Sequence, residues 1–129
     1  MNPITPKIKT GTLGELLVQI RLLQFGVQAA PPVKDSGNDL IAVNGDEFRA
    51  VSVRTTTKSH YNKPNDQRKY HVLAVVHLDG EGRNVWLDGS KIFLIPASDV
   101  TDAPTDVRKL DGYLLSSQQV ERLFGKLVT

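Results

Sequence analysis

Three side chains in the middle of the sequence have the chemistry to act together on a phosphate group: the carboxylate of Asp39, the hydroxyl of Ser52 and the guanidinium of Arg54. A carboxylate is a hard oxygen ligand for a divalent cation, and a guanidinium carries a permanent charge that can stabilise a developing negative charge. Glu15, earlier in the chain, would add a second carboxylate. These groups can act together only if the fold brings them onto one surface.

Their convergence depends on a predicted β-hairpin. Two β-rich runs, 39–43 and 47–55, are joined by Asn44-Gly45, the strongest short hairpin signal in a sequence. If Asn44 and Gly45 are the two turn residues, Asp39 pairs with Ala50. Since side chains alternate along a strand, the aspartate would share one sheet face with the serine and the arginine. A three-residue turn would place it on the other face.

Helix patterns occur near both ends of the chain. Thr12-x-x-Glu15 has the form of a capping box and predicts that the first helix begins there. Gly26 suits the left-handed position after its end. Ser116-Ser117 predicts the start of a last helix. The apolar stripe predicted for the first helix consists of Leu13, Leu16, Leu17, Ile20 and Leu23, and that of the last consists of Val120, Leu123, Phe124 and Leu127.

Apolar runs predict the other strands. Residues 27–30 form a short strand or an extended link, 70–78 a central strand buried on both faces, and 84–87 and 91–95 two further strands. The expected fold is α/β, with a mixed central sheet of about five strands on which an N-terminal and a C-terminal helix pack. A length of 129 residues favours a single domain over residues 1–129.

Composition excludes several classes of function. The chain has no cysteine, which excludes disulfides, thiolate metal sites and a thiol nucleophile, and suits a reducing cytoplasm. His60, His71 and His77 do not have the spacing of a zinc site. No apolar run is long enough to span a bilayer, and no secretory signal is present. We therefore expect a cytoplasmic protein, complete as given, with no membrane partner.

Positive charge is concentrated in one segment. The net charge is only +2, yet residues 49–71 hold six Lys/Arg and one acid. The predicted loop 56–69 contains Lys58, His60, Lys63, Arg68 and Lys69, with Tyr61 within it and Tyr70 directly after it. Basic side chains can follow a phosphate backbone while an aromatic ring stacks on a base, which predicts nucleic-acid binding. The alternative is an ordinary solvated loop.

A helix with Glu15, a strand with Asn38-Asp39 and a hairpin partner with Ser52-Val53-Arg54 together resemble the PD-(D/E)XK nuclease superfamily, especially small Holliday junction resolvase-like endonucleases. The resemblance covers roughly residues 11–100. It implies a restriction-endonuclease-like fold, DNA as the partner, and Glu15 and Asp39 as Mg²⁺ ligands. It also implies a homodimer, since small resolvases of this kind pair.

Two departures from the family pattern bear on activity. Ser52 stands where the family has a carboxylate or amide, which weakens the metal site, and Arg54 stands where it has lysine. Arginine can stabilise charge but cannot act as a base. Three functions therefore stay open: a Mg²⁺-dependent nuclease with a degenerate site, an inactive homologue that binds DNA or a protein, or a homo-oligomeric structural or regulatory domain. Each site residue also has an ordinary alternative, since Glu15 could complete the capping box, Asp39 could be a turn residue, and Arg54 could be solvated.

Overall fold

The computed structural model describes residues 4–32, 39–65 and 69–127. Its helices are α1 (Pro6–Gln24) and α2 (Ser117–Phe124), and its strands are β1 (Gln28–Ala30), β2 (Leu40–Asn44), β3 (Glu47–Thr56), β4 (Val72–Asp79) and β5 (Trp86–Pro96). Three short 3₁₀ helices lie between β5 and α2, at Ala97–Asp99, Val107–Lys109 and Asp111–Tyr113.

The five strands form one mixed sheet in the order β1-β2-β3-β4-β5. β1, β2 and β3 are antiparallel neighbours, β3 and β4 run parallel, and β5 returns antiparallel to β4. The connection between the parallel strands β3 and β4 is the basic segment that begins at Thr57. The strand predicted to be central is an interior one: β4 lies between β3 and the edge strand β5, and it is buried on both faces from Val72 to Val76, as its unbroken apolar run predicts. The expected α/β class and strand number are confirmed.

The predicted start of the first helix is wrong. α1 begins at Pro6, and the Thr5 hydroxyl caps it by accepting a hydrogen bond from the backbone N–H of Ile8 at 3.2 Å. Threonine followed by proline is a favourable helix start, because proline at the first position loses no hydrogen bond. Thr12 and Glu15 therefore lie inside the helix, and Glu15 is not part of a capping box.

The buried face of α1 also differs from the predicted stripe. Gly14, Leu17, Val18 and Leu22 are buried, whereas Leu16, Ile20 and Leu23 are 49%, 55% and 62% exposed. Between residues 13 and 23 the helix carries apolar side chains on most of its circumference, so periodicity alone does not identify the packed face. The helix end agrees with prediction, since Gly26 has φ +84° and the next residue's N–H bonds back to the carbonyl of Leu22.

Both helices pack on the same face of the sheet, where Leu17 and Leu22 of α1 meet Val51 of β3, and Val120 and Phe124 of α2 complete the core. α2 begins as predicted, with the Ser116 hydroxyl accepting from the Gln119 N–H. The opposite face is covered by irregular segments instead of helices. Its core consists of Tyr61, Leu73, Val75, Phe93, Ile95, Val100, Ala103, Val107 and Leu110.

The two strands predicted at 84–87 and 91–95 are parts of one strand, β5. Asp88-Gly89 has the composition of a turn, and it lies in a β-bulge: Trp86 pairs with Asp79 and Lys91 with His77, so β5 carries extra residues here and then continues. A Cβ on Gly89 would overlap the carboxylate of Asp79 on β4, so glycine permits a close approach here. The sheet partner, which no local pattern reveals, decides this conformation.

Candidate functional site

A cleft of about 780 Å³ opens where β3 ends, between the first half of α1 and the turn that follows β4. The Nζ of Lys9 donates to the carbonyl of Gly82 at 2.9 Å and ties the helix to that turn. Five side chains singled out in the sequence line this cleft: Glu15, Asp39, Arg54, Lys58 and Lys63. Of these five side chains, two are carboxylates and three are cationic.

The hairpin is present, but its predicted register is wrong by two residues. Asn44 pairs with Glu47, so that the turn residues are Gly45, with φ +61°, and Asp46. Asn44 stays in β2 because its side-chain amide donates to three backbone carbonyls at the end of α2, at 3.0 to 3.2 Å. The predicted pair of Asp39 with Ala50 is replaced by a pair of Ile41 with Ala50.

A register shift of two residues leaves every side chain on its original face. Continued past Leu40 and Val51, the observed pairing sets Asp39 opposite Ser52. The contacts agree, because Asp39 Oδ2 accepts the backbone N–H of Val53 at 2.7 Å and lies 3.5 Å from the Ser52 hydroxyl. The structure thus brings the aspartate and the serine together as the alternation of side chains requires.

Ser52 is fully buried and is not among the residues that line the cleft. Its hydroxyl points to Asp39 and can donate to the carboxylate. A carboxylate in its place would repel Asp39 unless a cation lay between them. In this chain the serine helps to orient Asp39 and leaves the other carboxylate oxygen, Oδ1, without a hydrogen bond from the described residues.

Glu15 is partly buried on the cleft side of α1. Burial raises the pKa of its carboxyl, and the nearby charge of Asp39 raises it further. The two carboxylates are therefore close enough to repel each other, and a bound cation would relieve that repulsion. Across the described ranges, no group of three or more His, Cys, Asp or Glu side chains is placed to hold a metal ion.

Two carboxylates match one of the ways in which proteins bind Mg²⁺, where waters and substrate phosphates complete the octahedron. The donor set of Glu15 and Asp39 therefore fits a cation that binds together with a phosphate. Two other acids lie near Asp39 and Ser52 in the sequence, but Glu47 is engaged with Arg49 at 2.9 Å, and Asp35 lies outside the described residues.

Arg54 lies near the end of β3, on the sheet face opposite the helices and two residues from Ser52. It is partly buried and lines the cleft. Within the described part of the chain its guanidinium makes no ion pair and no hydrogen bond. A planar guanidinium with free N–H groups suits bidentate contact with a phosphate.

Only some of the basic residues in the predicted loop 56–69 line the cleft. Lys58 lies on the rim in an exposed pair with Glu81 at 3.6 Å, and the Nζ of Lys63 donates to the carbonyl of Thr101 at 2.9 Å. His60 does not line the cleft, since it contacts the Ser59 hydroxyl and pairs with Asp106 through the backbone.

Two further basic residues of the predicted nucleic-acid set do not contribute to the described cleft. Lys69 is exposed and is not among the lining residues. Arg68 lies outside the described residues.

Other lining residues were not identified from the sequence. Lys7 and Thr10 belong to the first two turns of α1, which precede the predicted helix start at Thr12. Glu81 lies in the turn after β4. The signal for the first two was Thr5-Pro6, a helix start of ordinary form. No local signal identifies Glu81, because its place depends on the packing of the turn against α1.

No protein-family model matches the chain, and no curated protein matches it in sequence. A search of solved structures finds a bacterial homing endonuclease, I-Ssp6803I, with a TM-score of 0.58 over 85% of this chain and 86% of that chain, at 15% identity. The chain therefore has an α/β fold similar to that of this endonuclease. The finer resemblance to resolvase-like PD-(D/E)XK enzymes stays a prediction. Among the described residues no helix is long and apolar enough to cross a membrane.

Proposed function

We propose that this protein binds DNA in the cleft and hydrolyses a phosphodiester there with Mg²⁺ held by Glu15 and Asp39. The observation that supports this most is the convergence of two mutually repelling carboxylates and the unpaired guanidinium of Arg54 in one cleft. The endonuclease-like fold supports a nucleic-acid substrate, and the order of the site residues along the chain supports a PD-(D/E)XK type of site.

Bound Mg²⁺ would polarise the phosphate and lower the pKa of a coordinated water. Asp39 is oriented for its part by the Val53 N–H and the Ser52 hydroxyl. Arg54 would hold a phosphate oxygen and stabilise the charge that develops in the transition state. Because arginine does not deprotonate and both carboxylates would be engaged with the cation, a proton released by the attacking water would go to solvent.

Supercoiled, linear duplex and single-stranded DNA, each incubated with Mg²⁺, Mn²⁺ or a chelator, test the proposal. We expect nicking of DNA with either cation, none with chelator, and salt-sensitive binding in all three conditions. Absence of binding at low salt would contradict the nucleic-acid function altogether.

One observation favours a second function, an inactive module that binds DNA or a protein. Ser52 leaves the site one carboxylate short, and the described residues offer no third protein ligand nearby. Binding without nicking in both cations would establish this function in place of the first. Neither outcome depends on knowing the preferred DNA sequence.

Lys58 and Lys63, the two lysines of the basic segment that line the cleft, are expected to bind DNA phosphates. Replacing Lys58 and Lys63 together by glutamine is expected to weaken DNA binding and to reduce the slope of log K against log salt by about 2, because each phosphate contact contributes about 0.9 for duplex DNA. Fluorescence anisotropy at several salt concentrations measures both effects.

The matched control replaces Arg122 and Lys126, on and just after α2, by glutamine. It removes the same charge away from the cleft and should leave the slope nearly unchanged. Equal effects of the two double variants would mean that only net charge matters and that the cleft is not the binding surface.

A further inference from the structure

Helix α1 meets strand β3 at a glycine. Gly14 is buried in the helix and faces the side chain of Thr55 near the end of the strand. A Cβ added to Gly14 would overlap the Thr55 hydroxyl and lie 2.8 Å from its Cβ. Any larger residue at position 14 must therefore move the helix away from the strand or displace the threonine.

Neither partner is a favourable choice for stability alone. Glycine destabilises the interior of a helix relative to alanine, because it loses more backbone freedom on folding. Thr55 Oγ1 is buried without a hydrogen-bond partner among the described residues, which also costs free energy. Valine would fill a similar volume without that cost. Two residues that are each unfavourable for stability and that contact one another indicate that the contact has a role other than stabilising the fold.

The contact lies beside the candidate site on both elements. Gly14 precedes Glu15 on α1, and Thr55 follows Arg54 on β3. The distance between helix and strand at this point therefore determines how far the Glu15 carboxylate lies from Asp39, which is fixed to β3 through the Val53 N–H at 2.7 Å. A helix displaced outward would carry Glu15 away from the other carboxylate.

We propose that Gly14 and Thr55 are positioning residues, whose contact sets the separation of the Glu15 and Asp39 carboxylates. The identity of the ligand that the carboxylates share, a divalent cation, rests on the proposed function. The contact between Gly14 and Thr55 does not depend on the proposed function. It is the shape of Thr55, and not its hydroxyl, that performs this role.

The titration of the Glu15 carboxyl, followed by NMR in the full chain, reports the separation without any need for activity. Gly14→Ala is expected to lower the pKa of Glu15 toward its ordinary value, since Asp39 moves out of electrostatic reach and the carboxyl becomes more solvated. Calorimetry should show Mn²⁺ affinity reduced at least tenfold. Gly112→Ala, at a glycine with open space around it, is the control and should change neither quantity.

Two more variants separate shape from general damage to the fold. Gly14→Ala combined with Thr55→Gly adds a side chain on the helix and removes the one it would overlap on the strand. The double variant should therefore restore the pKa of Glu15 and the Mn²⁺ affinity. Thr55→Val keeps the shape and should leave both near the wild-type values. Failure of the double variant to restore the pKa of Glu15, or a folded Gly14→Ala protein with that pKa unchanged, would overturn the proposal.

The proposed function can fail separately. If the wild-type protein binds no Mn²⁺ while the pKa of Glu15 responds to Gly14→Ala as expected, the metal site is refuted and the positioning role stands.

Discussion

Asp39→Asn is expected to abolish Mg²⁺-dependent nicking while DNA binding persists. The substitution keeps an oxygen that can accept the Val53 N–H, so the local fold is retained. It removes one of two carboxylates that are placed to hold the cation, and with Ser52 already neutral the site has no other acidic ligand to compensate within the described residues. Metal ligands of this kind are worth several orders of magnitude in rate, and we expect a loss of at least about 100-fold.

The measurement is the initial rate of conversion of supercoiled to nicked plasmid, with binding followed in parallel by anisotropy. Removal of a negative charge from the cleft should leave DNA affinity equal or slightly raised. Asp46→Asn, in the exposed hairpin turn, is the matched control. Nicking that survives Asp39→Asn would refute the proposed metal site, and an equal loss in both variants would indicate a nonspecific effect.

Ser52→Asp is expected to make the stability of the fold depend on divalent cations. Ser52 is fully buried, and its hydroxyl lies 3.5 Å from the Asp39 carboxylate. A second carboxylate at that place would be desolvated and repelled, which should cost on the order of 3 kcal/mol without metal. A cation shared by the new carboxylate, Asp39 and Glu15 would offset much of this cost, because binding to the folded state alone stabilises it.

Thermal unfolding in chelator and in millimolar Mn²⁺ or Mg²⁺ checks the expectation. In chelator the Tm should fall by about 10 °C, and cation should recover at least half of the difference. Ser52→Asn has similar size without the charge and should show no response to cation. If Ser52→Asp is equally unstable with and without cation, the carboxylates do not converge on a common ion.

The gain of a ligand also bears on the choice between the two proposed functions. If Ser52→Asp with cation nicks DNA faster than the wild type, the serine limits catalysis in a site that is otherwise competent. If it binds cation and still does not cut, the limit lies elsewhere in the cleft, and Arg54 becomes the next position to vary.

The sequence alone determined those features that a few neighbouring residues decide. Gly26 ends α1 because glycine readily adopts a positive φ, and Ser116 caps α2 through a hydroxyl three residues from the N–H it accepts. The apolar run of β4 required a strand covered on both faces, inside the sheet. The shared face of Asp39 and Ser52 followed from alternation along the hairpin, which is why it survived an error of two residues in the register.

Tertiary structure decided the rest, because the deciding partner lies far away in the chain. Asn44 stays in its strand since its amide bonds carbonyls at the end of α2, which moves the hairpin turn onward. β5 continues past Gly89 through a bulge, where the glycine leaves room for the carboxylate of Asp79 on β4. The packed face of α1 is the one on which Gly14 closely approaches Thr55, and the apolar residues between 13 and 23 do not by themselves identify it. The packing of this face on β3 leaves Glu15 at the cleft.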